Sequence, residues 1–269
     1  MPVVWLRVAL AFYSVGLIYS VVVLGRRTNW ITRFTAPAMQ LGMIFHFVSL
    51  AETFHSQGRI GISSVHDLES LLAFMLMFGF ALVFVRYRTV TPGILIFPAV
   101  FLLTFAAAVG KNPIAFSSPT LRKPWIAVHI TLILAGYAAL LFSLAACVLY
   151  LLQERGLKAK SRLAISRLPA LDVIDQIGYR SLLLGFPFMT FGLLTGVVLA
   201  QAEYGPAFIA DPKILLSLLM WVVYIVLLYT RWSAGWRGRR AALLASAAFV
   251  AAIAAWTANN FSSIHRFMR

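Results

Sequence analysis

The sequence predicts an all-α, polytopic membrane protein: a bundle of eight transmembrane helices with both termini on the non-cytoplasmic side. Three observations predict it. Hydrophobic residues make up 61% of the 269 residues and charged residues only 12%, against about half and about a quarter in soluble domains. The apolar residues gather into eight long runs free of Asp, Glu, Lys and Arg. The Lys and Arg residues fall between those runs, biased toward alternate loops.

The runs are Val8–Gly25, Thr35–Ala51, Leu71–Val85, Thr91–Gly110, Ala127–Leu152, Ser181–Ala200, Ile214–Thr230 and Ala241–Ala258. A bilayer core needs roughly 20 apolar residues in a helix. The first run follows Arg7 and ends in Leu24, Gly25, Arg26 and Arg27 rather than at a small-residue cleavage site, so it reads as a retained helix. The third run is short, and is expected to extend past Glu69 or Arg86 with their charges reaching toward water. Pro98 and Pro187 mark single kinks in the fourth and sixth spans. The fifth run is long enough to tilt or to protrude. After it, Pro169 breaks the chain, and Leu171, Ile174 and Ile177 recur at helical spacing with Asp172 and Asp175 between them. That pattern predicts a short amphipathic connector on the membrane surface before span six. No internal repeat or low-complexity tract is present, and one membrane domain over residues 1–269 is the simplest organisation.

The net charge is +15. No basic groove with interleaved aromatics accompanies it, so the partner it implies is the anionic bilayer surface and not nucleic acid. Loops 1, 3, 5 and 7 hold fifteen of the 23 Lys and Arg residues. The positive-inside rule puts those loops in the cytoplasm and both termini outside. The lone cysteine, Cys147, leaves no disulfide or CxxC pair within one chain.

Spans without charge argue against an ion-coupled transporter. A permease would need a polar path, and Tyr19, Gln40, Thr104, Ser143 and Thr190 are scattered. No P-loop, HExxH or nucleophile elbow occurs, and no catalytic residue set is expected. Five histidines remain: His46, His55, His66, His129 and His265. His46 lies mid-span in Met43-Ile44-Phe45-His46-Phe47, where an imidazole needs a hydrogen-bond partner or a metal. The first of these is the commoner case. His55 and His66 bracket outer loop 2 and read as solvated loop residues. His129 begins span five and His265 follows span eight, both on the outer side. Two such histidines can supply both axial ligands to a haem iron, or can be interfacial residues that never meet.

Residues 169–196, PALDVIDQIGYRSLLLGFPFMTFGLLTG, resemble the segment entering the tryptophan-rich region of the CcsA-type cytochrome c assembly family. So do Trp221-Val-Val-Tyr-Ile-Val-Leu-Leu-Tyr-Thr-Arg231 and Gly235-Trp-Arg-Gly-Arg-Arg-Ala-Ala242. The resemblance is specific over residues 120–269 and looser before. It implies that His129 and His265 match the family's two external axial histidines and His46 its first membrane histidine. It also implies haem (haem b, held transiently) as the cofactor, a second membrane subunit or an apocytochrome c as partner, and the bacterial cytoplasmic membrane as the location. The outer segment here reads Glu203-Tyr-Gly-Pro-Ala-Phe-Ile-Ala-Asp-Pro-Lys213. Asp211, Pro212 and Lys213 match the family pattern, whereas Tyr204, Phe208 and Ala210 stand where it has tryptophan. Tyr229 falls at the second membrane histidine, and a tyrosinate can also ligate haem iron. These departures resemble the reduced HemX or YpjD-like subgroup.

Two functions follow as expectations. One is a haem-binding protein of cytochrome c assembly that presents haem at the outer face through His129 and His265. Tyr204 and Phe208 would then stack on the porphyrin, and Lys213, Arg122 and Lys123 would pair with its propionates. Such a chain is at most a component of a haem lyase system. The other is a non-enzymatic, HemX-like regulator of tetrapyrrole synthesis or an assembly factor without bound haem, acting through its basic cytoplasmic loops.

Overall fold

A computed structural model describes residues 2–25, 29–56, 62, 64–110, 124–160, 169–258 and 262. Among them are eight α-helices: α1 (Pro2–Gly25), α2 (Asn29–Ser56), α3 (Val65–Tyr87), α4 (Gly93–Val109), α5 (Pro124–Lys158), α6 (Leu171–Tyr204), α7 (Pro212–Trp232) and α8 (Arg239–Thr257). A 3-10 turn, Gly205–Ala210, joins α6 to α7. Seven of the helices are long and apolar enough to cross a bilayer, and α4, with 17 residues, is shorter. The molecule is a polytopic membrane helix bundle. Its packing falls into two compact units, residues 1–127 and 128–269.

In the first unit α1 packs on α2 and α4, and α3 packs on α4 and α2. Small residues let these helices approach. A Cβ on Gly16 would lie 2.5 Å from Met39 Sδ, and one on Gly42 would lie 2.7 Å from the Tyr13 ring. Their absence buries Tyr13 and Met39 completely. Helix α3 starts at a capping box, in which Ser64 Oγ accepts from Asp67 N–H (3.2 Å) and Asp67 Oδ2 accepts from Ser64 N–H (3.0 Å). The helix therefore begins before the apolar run does. That places His66 in its first turn, with Nδ1 2.9 Å from Glu69 Oε2, rather than in a loop. His55 sits exposed in the last turn of α2.

In the second unit α5 and α6 have 35 and 34 residues. At 1.5 Å per residue each spans roughly 50 Å, well beyond a bilayer core of about 30 Å. The expected surface connector after Pro169 does not form as a separate element. Residues 171–180 are the first turns of α6, continuous with the span. Ile174 and Ile177 are buried within the unit. Asp175 is not solvated either, because it meets an arginine from α7.

The α5–α6 contact runs along a glycine seam. Gly178, Gly185 and Gly192 recur every seven residues on α6, so they return to one face. A Cβ added there would lie 3.2 Å from Ala146, 2.5 Å from Ala139 and 2.8 Å from Ile133, respectively. The partners descend α5 as the glycines ascend α6, so the two helices are antiparallel. Close backbone approach through small residues is how membrane helices gain dispersion contact where lipid offers no hydrophobic drive.

Candidate functional site

The glycine seam ends at His129. A fourth glycine, Gly196, stands so close that its missing Cβ would lie 2.6 Å from His129 Cε1. Nδ1 of the imidazole is 2.7 Å from the carbonyl oxygen of Gly192. A carbonyl only accepts, so Nδ1 carries the proton and donates it. In the neutral ring Nε2 then keeps its lone pair, which is the form that ligates a metal. The Gly192 oxygen also accepts from Thr195 Oγ, 2.8 Å away. His129 remains partly exposed. Two features of α6 therefore orient the ring: the Gly192 carbonyl, which fixes the tautomer, and Gly196, which leaves room for the imidazole.

Beside it lies the start of α7. Asp211 is the N-cap, with Oδ1 accepting from Lys213 N–H at 2.9 Å, and Pro212 is at the first helical position, where its missing N–H costs nothing. Asp211 Oδ2 accepts from Ser262 Oγ at 2.8 Å, and both residues are buried. The Asp-Pro-Lys sequence is thus a helix start that also fastens the chain beyond α8. Lys213 is partly buried, and lies near enough to His129 for their charges to interact.

The other expected site residues are placed as follows. Tyr204 ends α6, roughly two turns beyond Gly196, and is 47% exposed. Phe208 is 5% exposed, its ring turned into the unit, and so offers no open stacking face. Tyr229 is exposed near the far end of α7 from Asp211. Arg122, Lys123 and His265 lie outside the described residues. His129 and Lys213 lie within reach of each other's charge. Tyr229 is not brought to them.

His46 belongs to the first unit and is fully buried. Its Nε2 is 2.9 Å from Ser70 Oγ and its Nδ1 3.3 Å from the Tyr13 hydroxyl. Phe74 meets the ring edge-on at 5.7 Å. Both nitrogens are engaged, so neither is open to iron in this arrangement. His46→Ala is expected to orphan the Ser70 and Tyr13 hydroxyls and to lower stability by about 1–3 kcal/mol, plus a cavity term. Thermal unfolding in detergent measures this, and Phe, which fills the space, is expected to recover only the cavity part.

Sequence reading missed Gly192, Gly196 and Ser262 as site residues. The seven-residue recurrence of glycine was a usable signal for the first. Nothing in one sequence marks a backbone carbonyl as a histidine's partner.

Comparison with known proteins identifies the family. Residues 3–263 match the family described as cytochrome C assembly protein. The chain is 30% identical over 232 residues to the cytochrome c biogenesis protein CcsA of Prochlorococcus marinus strain MIT 9301, covering 77% of this chain and 75% of that protein. It is 28% identical over 245 residues to the protein of the same name from P. marinus subsp. pastoris, covering 82% and 78%. With the match running through both units and across His129, Asp211 and Lys213, the chain belongs to the cytochrome c assembly protein family.

Proposed function

We propose that this protein handles haem during cytochrome c assembly, with His129 and His265 as axial ligands on one side of the bacterial cytoplasmic membrane. The observation that carries the reading is the oriented imidazole of His129, with its Nδ1–H on the Gly192 carbonyl and Nε2 without a hydrogen bond among the described residues. An oriented neutral imidazole fits haem iron in donor chemistry. The Ser262–Asp211 hydrogen bond supports the second ligand. Ser262 is three positions before His265, and three extended residues reach at most roughly 10 Å. This short reach is what supports His265 as the second ligand. The Lys and Arg bias supports placing both termini outside.

Bound haem would supply the porphyrin that is passed to an apocytochrome c. The chain's own residues do simpler work. Gly192 holds the imidazole in one tautomer, Gly196 makes room for it, and Asp211 holds Ser262. Tyr204, exposed at the end of α6, offers an aromatic edge to the porphyrin. His46 is read as a packing node of the first unit.

The test is expression with ample haem, purification in detergent, and spectra of the oxidised and reduced protein. A Soret band is expected, weakened by His129→Ala or His265→Ala, lost in the double variant and unchanged in His66→Ala. An unchanged spectrum in the double variant overturns the assignment. Haem-free protein that co-purifies with a cytosolic partner would instead favour the regulator.

A further inference from the structure

We infer that the second unit holds one ordered internal water, seated between Ser143 of α5 and Asp175 of α6. Four helices converge on a cavity there. Ser143 and Cys147 line it from α5, Asp175 and Gly178 from α6, Arg231 from α7 and Ala242 from α8. Small side chains on α6 and α8 leave the room. The cavity offers about 20 Å³ to a water-sized molecule, and one water needs about 10–15 Å³ on that measure.

Ser143 supplies the reason for filling it. The side chain is 1% exposed. A buried serine or threonine in a helix commonly donates its proton to the carbonyl one turn back. Ser181, Thr190 and Ser246 do so in this unit, to Ile177, Phe186 and Ala242. Ser143 does not, and its Oγ makes no hydrogen bond of ordinary geometry among the described residues. The Cys147 thiol, one turn on, acts on it only as a weak donor and weak acceptor. The hydroxyl faces α6 instead, where a Cβ on Gly178 would stand 3.9 Å from Oγ.

The opposite wall offers an acceptor. Asp175 Oδ1 accepts from Arg231 Nη1 and from Gly238 N–H, while Oδ2 accepts from Arg231 Nη2. A carboxylate has about four lone-pair sites, so Oδ2 has one to spare. Asp175 stands one turn before Gly178 on the same face of α6, about 5–6 Å away. A water can therefore accept from Ser143 Oγ and donate to Asp175 Oδ2. A cation in its place would sit against the Arg231 guanidinium, and an apolar occupant would leave the hydroxyl unpaired. The bridge joins α5 to a carboxylate that already holds α7 and, through Gly238, the start of α8.

The experiment uses the full chain in detergent. Cys147 is its single cysteine and lines the same cavity, so the infrared S–H stretch reports on that space alone. On transfer to D2O the thiol is expected to exchange faster than the α5 amides beside it, because water already reaches it. A thiol that exchanges only as slowly as those amides lies in a dry cavity, and overturns the inference. Ser143→Ala is expected to lower the Tm by about 2–4 °C, through loss of one hydrogen bond to the water. In a dry cavity the same change removes an unpaired hydroxyl. An unchanged or raised Tm therefore also overturns the inference.

Discussion

Replacing Asp175 by alanine is expected to destabilise the protein by about 3–5 kcal/mol, the usual consequence of stranding one member of a buried ion pair. Arg231 donates through Nη1 to Asp175 Oδ1 at 2.8 Å, through Nη2 to Oδ2, and again to the Asp175 backbone carbonyl at 3.3 Å. The two side chains are 9% and 12% exposed. The guanidinium also lies over the Tyr179 ring, 4.9 Å from its centroid. Gly238, where the chain turns into α8 with φ +62, sends its N–H to Asp175 Oδ1 at 3.4 Å. One carboxylate therefore ties α6, α7 and the start of α8. Thermal unfolding in detergent is the measurement. A double variant, Asp175→Leu with Arg231→Met, is expected to regain most of the loss, because it removes the stranded charge. Equal instability of single and double variants would show that the pair is not what the single variant breaks.

Gly196→Ala is the second large expected effect, and it separates site from scaffold. The new methyl would stand 2.6 Å from His129 Cε1 and 3.0 Å from Nδ1, so the imidazole must move. Moving it stretches the hydrogen bond to Gly192. Loss of such an orienting contact typically lowers metal affinity by about 10–100-fold, while the overpacking itself costs about 1–3 kcal/mol. A haem titration beside a thermal melt resolves the two. Haem affinity that falls with only a modest loss of stability supports the geometry. Unchanged affinity would mean that the imidazole seen against Gly196 is not the one that meets iron.

The helices were legible because each is a run of apolar residues whose length a bilayer dictates. The charge-free runs matched the cores of all eight helices. Boundaries were less legible where polar residues are buried by partners far away in sequence. Asp172 and Asp175 made the start of α6 look like a surface helix, yet the partner that takes Asp175 inward is 56 positions on. His66 read as loop because the signal that starts α3 is a reciprocal Ser64–Asp67 contact, not hydrophobicity. At the site, His129 stood out because histidine in an apolar helix is expensive. His46 stood out for the same reason, and only coordinates show that Tyr13 and Ser70 satisfy it. Phe208 matched an aromatic position by count, but its burial follows from the fold of the 3-10 turn.

The glycine seam has one more implication. A groove that repeats every seven residues fits its neighbour in more than one way. Sliding α5 along α6 by one repeat, roughly 10 Å, would bring Gly178 to Ala139 and Gly185 to Ile133, pairings of the kind the seam already holds. Smooth packing therefore leaves the alignment of these two helices degenerate, and a directional contact must choose. A directional contact of this kind between α5 and α6 is His129 Nδ1–H to the Gly192 carbonyl. The bond that aims the imidazole is also the notch that sets the helix alignment. A correctly folded copy thus presents the nitrogen correctly, and a slipped one loses the ligand together with the register.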